Sequence, residues 1–243
     1  MTNELITCQG VTKFYGHLHA LDHVDLTIGR GKVIGLLGPN GSGKTTLIKL
    51  LCGLLQPSEG LLLIDGQKPG PYTKSIVSYL PDRMYFADWM KASDLMNFFA
   101  DFYANFNRQK AEDMCRSLNI QPGMRIKTMS KGTKEKLQLV LVMSRTAQLY
   151  LLDEPIAGVD PAARDFIMNT ILTNYNENGT VLISTHLIGD IERVLDEVVF
   201  LQTGHIVRHD TVDNIREQEG KSVDALFREI FRAIPYGGEY DAR

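Results

Sequence analysis

The stretch GLLGPNGSGKTTLIKLL (residues 35–51) decides how this chain folds. Before it the apolar run Val33-Ile34-Gly35-Leu36-Leu37 reads as a strand, and after it Thr46-Leu47-Ile48-Lys49-Leu50-Leu51 reads as a helix. The bend between them, Gly38-Pro39-Asn40-Gly41-Ser42-Gly43-Lys44-Thr45, fits G-x-x-x-x-G-K-[ST] in full and in the strand–loop–helix setting that the motif requires. Its glycines let the backbone curl so that successive N–H groups face phosphate oxygens. The helix that follows adds the positive end of its dipole. Lys44 is then the cation for the β- and γ-phosphates, the Thr45 hydroxyl is a ligand for Mg²⁺, and Thr46 completes the phosphate-binding set. A nucleoside triphosphate is the expected ligand.

Outward from the loop, the run Leu149-Tyr150-Leu151-Leu152-Asp153-Glu154 delivers two carboxylates at the C-terminal end of an apolar strand, where α/β sheets gather their ligands. Asp153 is expected in the Mg²⁺ shell, and Glu154 is expected to polarise the attacking water. Further apolar runs at 180–184 and 198–201 match parallel strands covered on both faces. A helix is expected from Asp160-Pro161, Asp as cap and Pro in the first turn. Leu5–Cys8 and Ala20–Ile28 read as an N-terminal β-arm. The fold class is therefore α/β: a P-loop NTPase core with a mostly parallel sheet, an antiparallel β-arm and a helical subdomain insert.

The insert occupies residues 84–128. DLMNFFADFYANF (94–106) places Leu95, Phe98, Phe99 and Phe102 on one helical stripe with Ser93 as the expected cap, and a second helical pattern runs over 108–118. Tyr85, Phe86 and Trp89 are expected either to pack internally or to meet another chain. The tail PYGGEYDAR (235–243) is expected to lack fixed structure.

Composition narrows the classes. The chain has 243 residues, 44% hydrophobic and 23% charged, ordinary for a globular protein with a sizeable core. A net charge of −3 argues against bulk nucleic acid as the main partner. Cys8, Cys52 and Cys115 lie far apart and read as reduced thiols. The opening residues have no signal-peptide pattern and no charge-free apolar run approaches 18 residues, so a membrane role is expected to come through another chain.

With these motifs in order, the chain resembles the ATP-binding subunit of an ABC transporter over nearly its whole length. The resemblance implies that Tyr15 in KFYG stacks on adenine and that MSKGTKEKLQL (129–139) is the signature segment. Ser130 and Gly132 would there face the γ-phosphate bound by an opposing subunit. It also implies that IAGVD (156–160) crosses between subunits and that His186 contacts the γ-phosphate. Lys131 and Thr133 depart from the usual signature, though an SKG form is familiar among small bacterial exporters. Asp82, in SYLPDRM, stands where the family usually has Gln; it reads either as a Mg²⁺ or water ligand or as a cap of the turn after Pro81.

The implied layout is one domain over 1–243, with a nucleotide-binding core at 1–80 and 149–220. A helical subdomain at 81–148 and a C-terminal helix with tail at 221–243 complete it. The implied function is Mg²⁺-dependent ATP hydrolysis that energises a transporter, with a transmembrane permease subunit and a second ATPase subunit, identical or paralogous, as partners. The implied location is cytoplasmic, peripheral on the inner face of the membrane. The phrase LDEPIAGVDPAARD most resembles small ABC-2-type exporters. The alternative is a soluble ABC-type ATPase acting on nucleic acid or ribosomes, but the compact insert and the single cassette weigh against it. A P-loop kinase would leave the signature segment and His186 without roles.

Overall fold

The structure, a computed structural model, describes residues 3–232; the tail expected at 235–243 lies outside the described residues. The arm is formed by β1 (Glu4–Tyr15), paired antiparallel with β2 (Leu18–Gly29) on one side and with β4 (Glu59–Ile64) on the other. Between β2 and β4 come β3 (Val33–Leu37) and α1 (Lys44–Leu51), the strand and helix that flank the glycine loop.

After the short α2 (Pro71–Ile76), the main sheet adds β5 (Val77–Leu80), β6 (Leu149–Asp153), β7 (Thr180–Thr185), β8 (Glu197–Gln202) and β9 (His205–Thr211), in the order β5-β6-β7-β3-β8-β9. Neighbours from β5 to β8 are parallel, and only β9 runs antiparallel, at the edge. Every residue of β3, β6 and β7 is buried because both faces of the sheet are covered. The alternation along β6 shows how. Leu149 and Leu151 pack with α1 and the arm, whereas Tyr150 and Leu152 pack with α5 (Lys131–Met143), α6 (Pro161–Asn174) and the C-terminal helices. Helix α6 starts at Pro161, directly after Asp160, as expected.

The insert has its own core, in which α3 (Ala92–Phe102) and α4 (Arg108–Ser117) pack on α5 through Leu95, Phe99, Cys115, Leu137 and Leu141. Two expectations for α3 need correction. Ser93 is not its cap, because the helix begins at Ala92 and the Asp94 carboxylate accepts the Lys91 N–H at 2.9 Å. Nor do the four apolar residues share one buried stripe. Leu95 and Phe99 face the subdomain core, while Phe98 and Phe102 form the neighbouring row, 44% and 69% exposed, with ring centroids 4.4 Å apart. Phe86 is half-buried against Phe99, but Tyr85 and Trp89 are exposed.

Candidate nucleotide-binding and catalytic site

Four adjacent strands, β3, β7, β6 and β5, deliver the candidate residues at their C-terminal ends. Register fixes their neighbourhood: Leu37 pairs with Thr185, Asp153 with Ser184, and Leu80 with Leu152. Gly38, His186, Asp153, Glu154 and Asp82 therefore leave the sheet side by side.

The loop after β3 is conformationally exacting. Gly43, the N-cap of α1, has φ +108°, and a Cβ there would stand 2.4 Å from the Ala20 carbonyl oxygen. A Cβ on Gly38 would stand 2.3 Å from the Leu201 carbonyl oxygen and 2.6 Å from Ser42 Oγ. Only glycine fits either position. Lys44 is buried, and its ammonium donates to the Gly38 and Pro39 carbonyls at 2.8 and 3.2 Å, with Glu154 Oε1 3.5 Å away. Burial lowers the Lys44 pKa against the opposing pull of the Glu154 and Asp153 carboxylates.

Asp153 is wholly buried at the end of β6. Its Oδ1 accepts hydrogen bonds from Ser184 Oγ at 2.6 Å and Thr45 Oγ1 at 3.1 Å, whereas its Oδ2 is buried with no hydrogen-bond partner. Burial raises the Asp153 pKa above the ordinary carboxylate value, outweighing those two hydrogen bonds. An orphaned carboxylate oxygen beside a threonine hydroxyl is a hard-oxygen donor set suited to a divalent cation. The buried Ser42 Oγ in the loop is likewise without a partner.

Glu154 adopts φ +51°, a left-handed conformation rare outside glycine and typical of strain held at working sites. The Ser184 backbone and hydroxyl oxygens hold its N–H at 3.1 and 3.0 Å. That conformation sets its carboxylate between Lys44 and His186, with Oε2 3.0 Å from His186 Nδ1. Ser184 therefore organises both acids, a part that the sequence reading did not assign; its only signal was a hydroxyl at the end of an apolar strand.

A cavity of about 460 Å³ brings together Tyr15, Asn40, Gly41, Thr46, Asp82 and Glu154. Tyr15 is 47% exposed at the end of β1, with Lys13 Nζ 5.7 Å from its ring centroid. Ser130 and Gly132 are elsewhere, at the start of α5, and do not line this cavity. Ser130 caps that helix, accepting the Thr133 N–H at 3.2 Å.

Comparison with known proteins identifies the family. Residues 21–157 match the family model described as ABC transporter. The SkfA peptide export ATP-binding protein SkfE of Bacillus subtilis (strain 168) is 28% identical over 88% of this chain and 92% of its own length. A solved structure of an ATP binding subunit of an ABC transporter is 26% identical, with a TM-score of 0.83 over 93% of this chain and 99% of that one. The ATP-binding cassette MJ0796, solved as a dimer in a post-hydrolysis state with ADP and Pi, shares the fold at 20% identity and a TM-score of 0.75, over 85% of this chain and 98% of that one. A mostly parallel sheet with the glycine loop and two acids at the C-terminal ends of its strands, the family match across more than half of the chain and these likenesses have one reading: this chain belongs to the ABC transporter family, as an ATP-binding subunit with ATPase activity.

Proposed function

We propose that this chain binds Mg²⁺·ATP in the cavity between Tyr15 and Glu154 and hydrolyses it when a second ATPase subunit supplies Ser130 and Gly132. The cycle of closing and reopening then drives a transmembrane permease in the direction of export. One observation carries the reading: Glu154 meets both Lys44 and His186 within one chain, with Asp153 next to it, while the capped start of α5 lies outside the cavity that Lys44 and Glu154 line. A second copy is needed to bring that helix start to the nucleotide.

Each residue then has a task. Tyr15 stacks on the adenine, and the amides of Gly38 to Thr46, with Lys44, hold the phosphates. Thr45 and Asp153, with Asp82 at the rim, hold Mg²⁺, which when bound neutralises phosphate charge. Glu154 orients the attacking water and draws its proton, and His186 keeps the Glu154 carboxylate in place while reaching toward the γ-phosphate. The SkfE name supports export, and the MJ0796 dimer supports assembly in pairs.

No helix among the described residues is long and apolar enough to cross a membrane. A groove of about 410 Å³ separates Leu54 and Tyr79 of the core from Tyr85, Phe102 and Tyr103 of the helical region, with Arg145 in its wall. An amphipathic helix of the permease fits there by chemistry, with Phe98 beside Phe102 at its margin and Trp89 also exposed in the helical region. That contact would hold the chain on the inner face of the membrane and make residues 81–148 the subdomain that moves with the permease.

The Glu154→Gln variant tests the assembly. Turnover should fall about 10²–10⁴-fold with ATP binding intact, because the amide cannot take the proton. Sedimentation velocity should show dimer with ATP, and monomer with ADP or without nucleotide. A monomer in all three states whose wild-type form hydrolyses ATP at full rate would rule out the paired mechanism.

A further inference from the structure

Among the described residues, three buried side-chain polar atoms have no hydrogen-bond partner: Ser42 Oγ, Asp153 Oδ2 and Gln138 Nε2. Such atoms are uncommon in folded proteins, and each calls for a cause. The first two face phosphate and metal in the proposed cycle. Gln138 is the one that the cycle leaves unexplained, and its place in the fold is particular. It is a lone amide in a helical run, Leu137 to Met143, that is otherwise apolar and buried throughout.

Gln138 also lines a cleft of about 330 Å³ shared with Asp82, Glu135 and Glu154. An orphaned N–H donor on a residue that lines one cleft with three carboxylates has an evident class of partner. Glu135 is 3.8 Å from Lys131 Nζ, one helical turn away, and Glu154 is engaged by Lys44 and His186. Among the described residues, Asp82 has as its ion-pair partner only Arg83, at 3.7 Å, whose side chain is almost fully exposed. The two elements are also linked mechanically. Asp82 follows β5, and in β5 the buried Ser78 hydroxyl donates to the Val142 carbonyl at 2.9 Å, one turn along α5 from Gln138.

We propose that Gln138 is a positioning residue for ATP hydrolysis. Its carboxamide N–H donates to the Asp82 carboxylate when nucleotide is bound, linking α5, the helix that begins at Ser130, to the metal side of the site. The inference rests on the reading of Asp82 as a ligand of Mg²⁺ or its water. The hydrogen bond satisfies a donor whose burial otherwise costs stability, and it holds an exposed carboxylate in one orientation.

Two measurements test it. Gln138→Met keeps the side-chain length and removes the orphan donor, so thermal stability should hold or rise. ATP affinity should be unchanged while turnover falls about tenfold, the usual effect of losing a hydrogen bond to a charged group. Gln138→Met with Asp82→Ala should be no slower than the slower single variant. The second measurement does not depend on hydrolysis. In the wild-type protein, ¹⁵N–¹H spectra should show the Gln138 side-chain amide shifting when Mg²⁺ and a non-hydrolysable ATP analogue are added. The signal is assigned by its loss in Gln138→Met, and it should stay in place in Asp82→Ala. Wild-type turnover in Gln138→Met, a double variant slowed by the product of the two singles, or an amide shift that persists in Asp82→Ala would each overturn the proposal. A wild-type protein without ATP turnover would count against the proposed function instead, and the spectra would still decide on Gln138.

Discussion

At the glycine loop, Gly43 holds φ +108° with the Ala20 carbonyl in the way of any Cβ, and Asp153 is wholly buried with an unpartnered oxygen. On the outer face of α3, Phe98 and Phe102 stand exposed with their tilted rings in contact. The first region is conformationally and electrostatically exacting within the chain itself. The second is apolar surface turned outward, satisfied in water only in part. The contrast separates two kinds of function. Chemistry on phosphate needs groups held in costly positions before the ligand arrives. Coupling to another protein needs surface that the chain does not use for its own folding.

Two glycines at helix starts, Gly43 capping α1 and Gly132 in the first turn of α5, give the widest test. Gly43→Ala puts a Cβ against backbone in a forbidden conformation, so it should cost on the order of 1–3 kcal/mol from the strain alone and abolish nucleotide binding. At Gly132, by contrast, a Cβ would meet nothing within 4 Å and φ is ordinary. Gly132→Ala should leave the isolated subunit unchanged or up to about 1 kcal/mol more stable, yet weaken ATP-driven pairing. Denaturant unfolding and sedimentation velocity measure both. A Gly132→Ala protein that pairs like wild type would remove Gly132 from the paired site.

Tyr15 sits between the extremes, half exposed at the rim. Tyr15→Ala should weaken ATP binding by about 0.5–1.5 kcal/mol and Tyr15→Trp should not, if the ring stacks on the base. Equal losses in calorimetric titration would make Tyr15 a packing residue of the arm.

Asp153 gives a test of direction. Its pKa in the folded chain is raised by burial above its unfolded value, so the folded state binds the proton more tightly. Its contribution therefore favours folding below the ordinary carboxylate value, and is lost as pH rises through the raised one. Asp153→Asn should remove this pH dependence. It should leave the ligand-free protein at least as stable at neutral pH, while Mg²⁺-dependent turnover disappears. Thermal melts between acidic and neutral pH decide; a clear loss of stability at neutral pH would mean that the carboxylate serves the fold as well as the metal.

The smallest expected effect lies on the outward face. Trp89→Ser with Phe102→Ser should change stability by within about 0.5 kcal/mol and leave the subunit's own ATPase rate unaltered. Co-purification with the permease should fall. A large drop in melting temperature would show that these aromatics belong to the subdomain's own packing.

The linear sequence carried the glycine loop, the two acids after β6, the apolar strands and the insert. These signals are local: the motif depends on spacing, and strands covered on both faces show as unbroken apolar runs. Strands β4, β5 and β9 escaped: β4 because its short apolar run Leu61–Ile64 has no period to tell strand from helix, β5 because it is four residues long, and β9 because its alternating edge pattern is faint. Helix α3 was legible as a helix, but the choice between Phe98 and Phe99 for burial was not. Adjacent rows on a helix are told apart only by what packs against them. Tertiary structure alone decided that Ser184 holds both acids, that Glu154 takes a strained φ, and that the Gln138 amide nitrogen lies buried without a partner, on a residue lining the same cleft as Asp82. Those facts depend on strands and helices distant in the chain meeting at the C-terminal ends of the strands. Composition, period and spacing report only on neighbours along the chain, so they do not contain them.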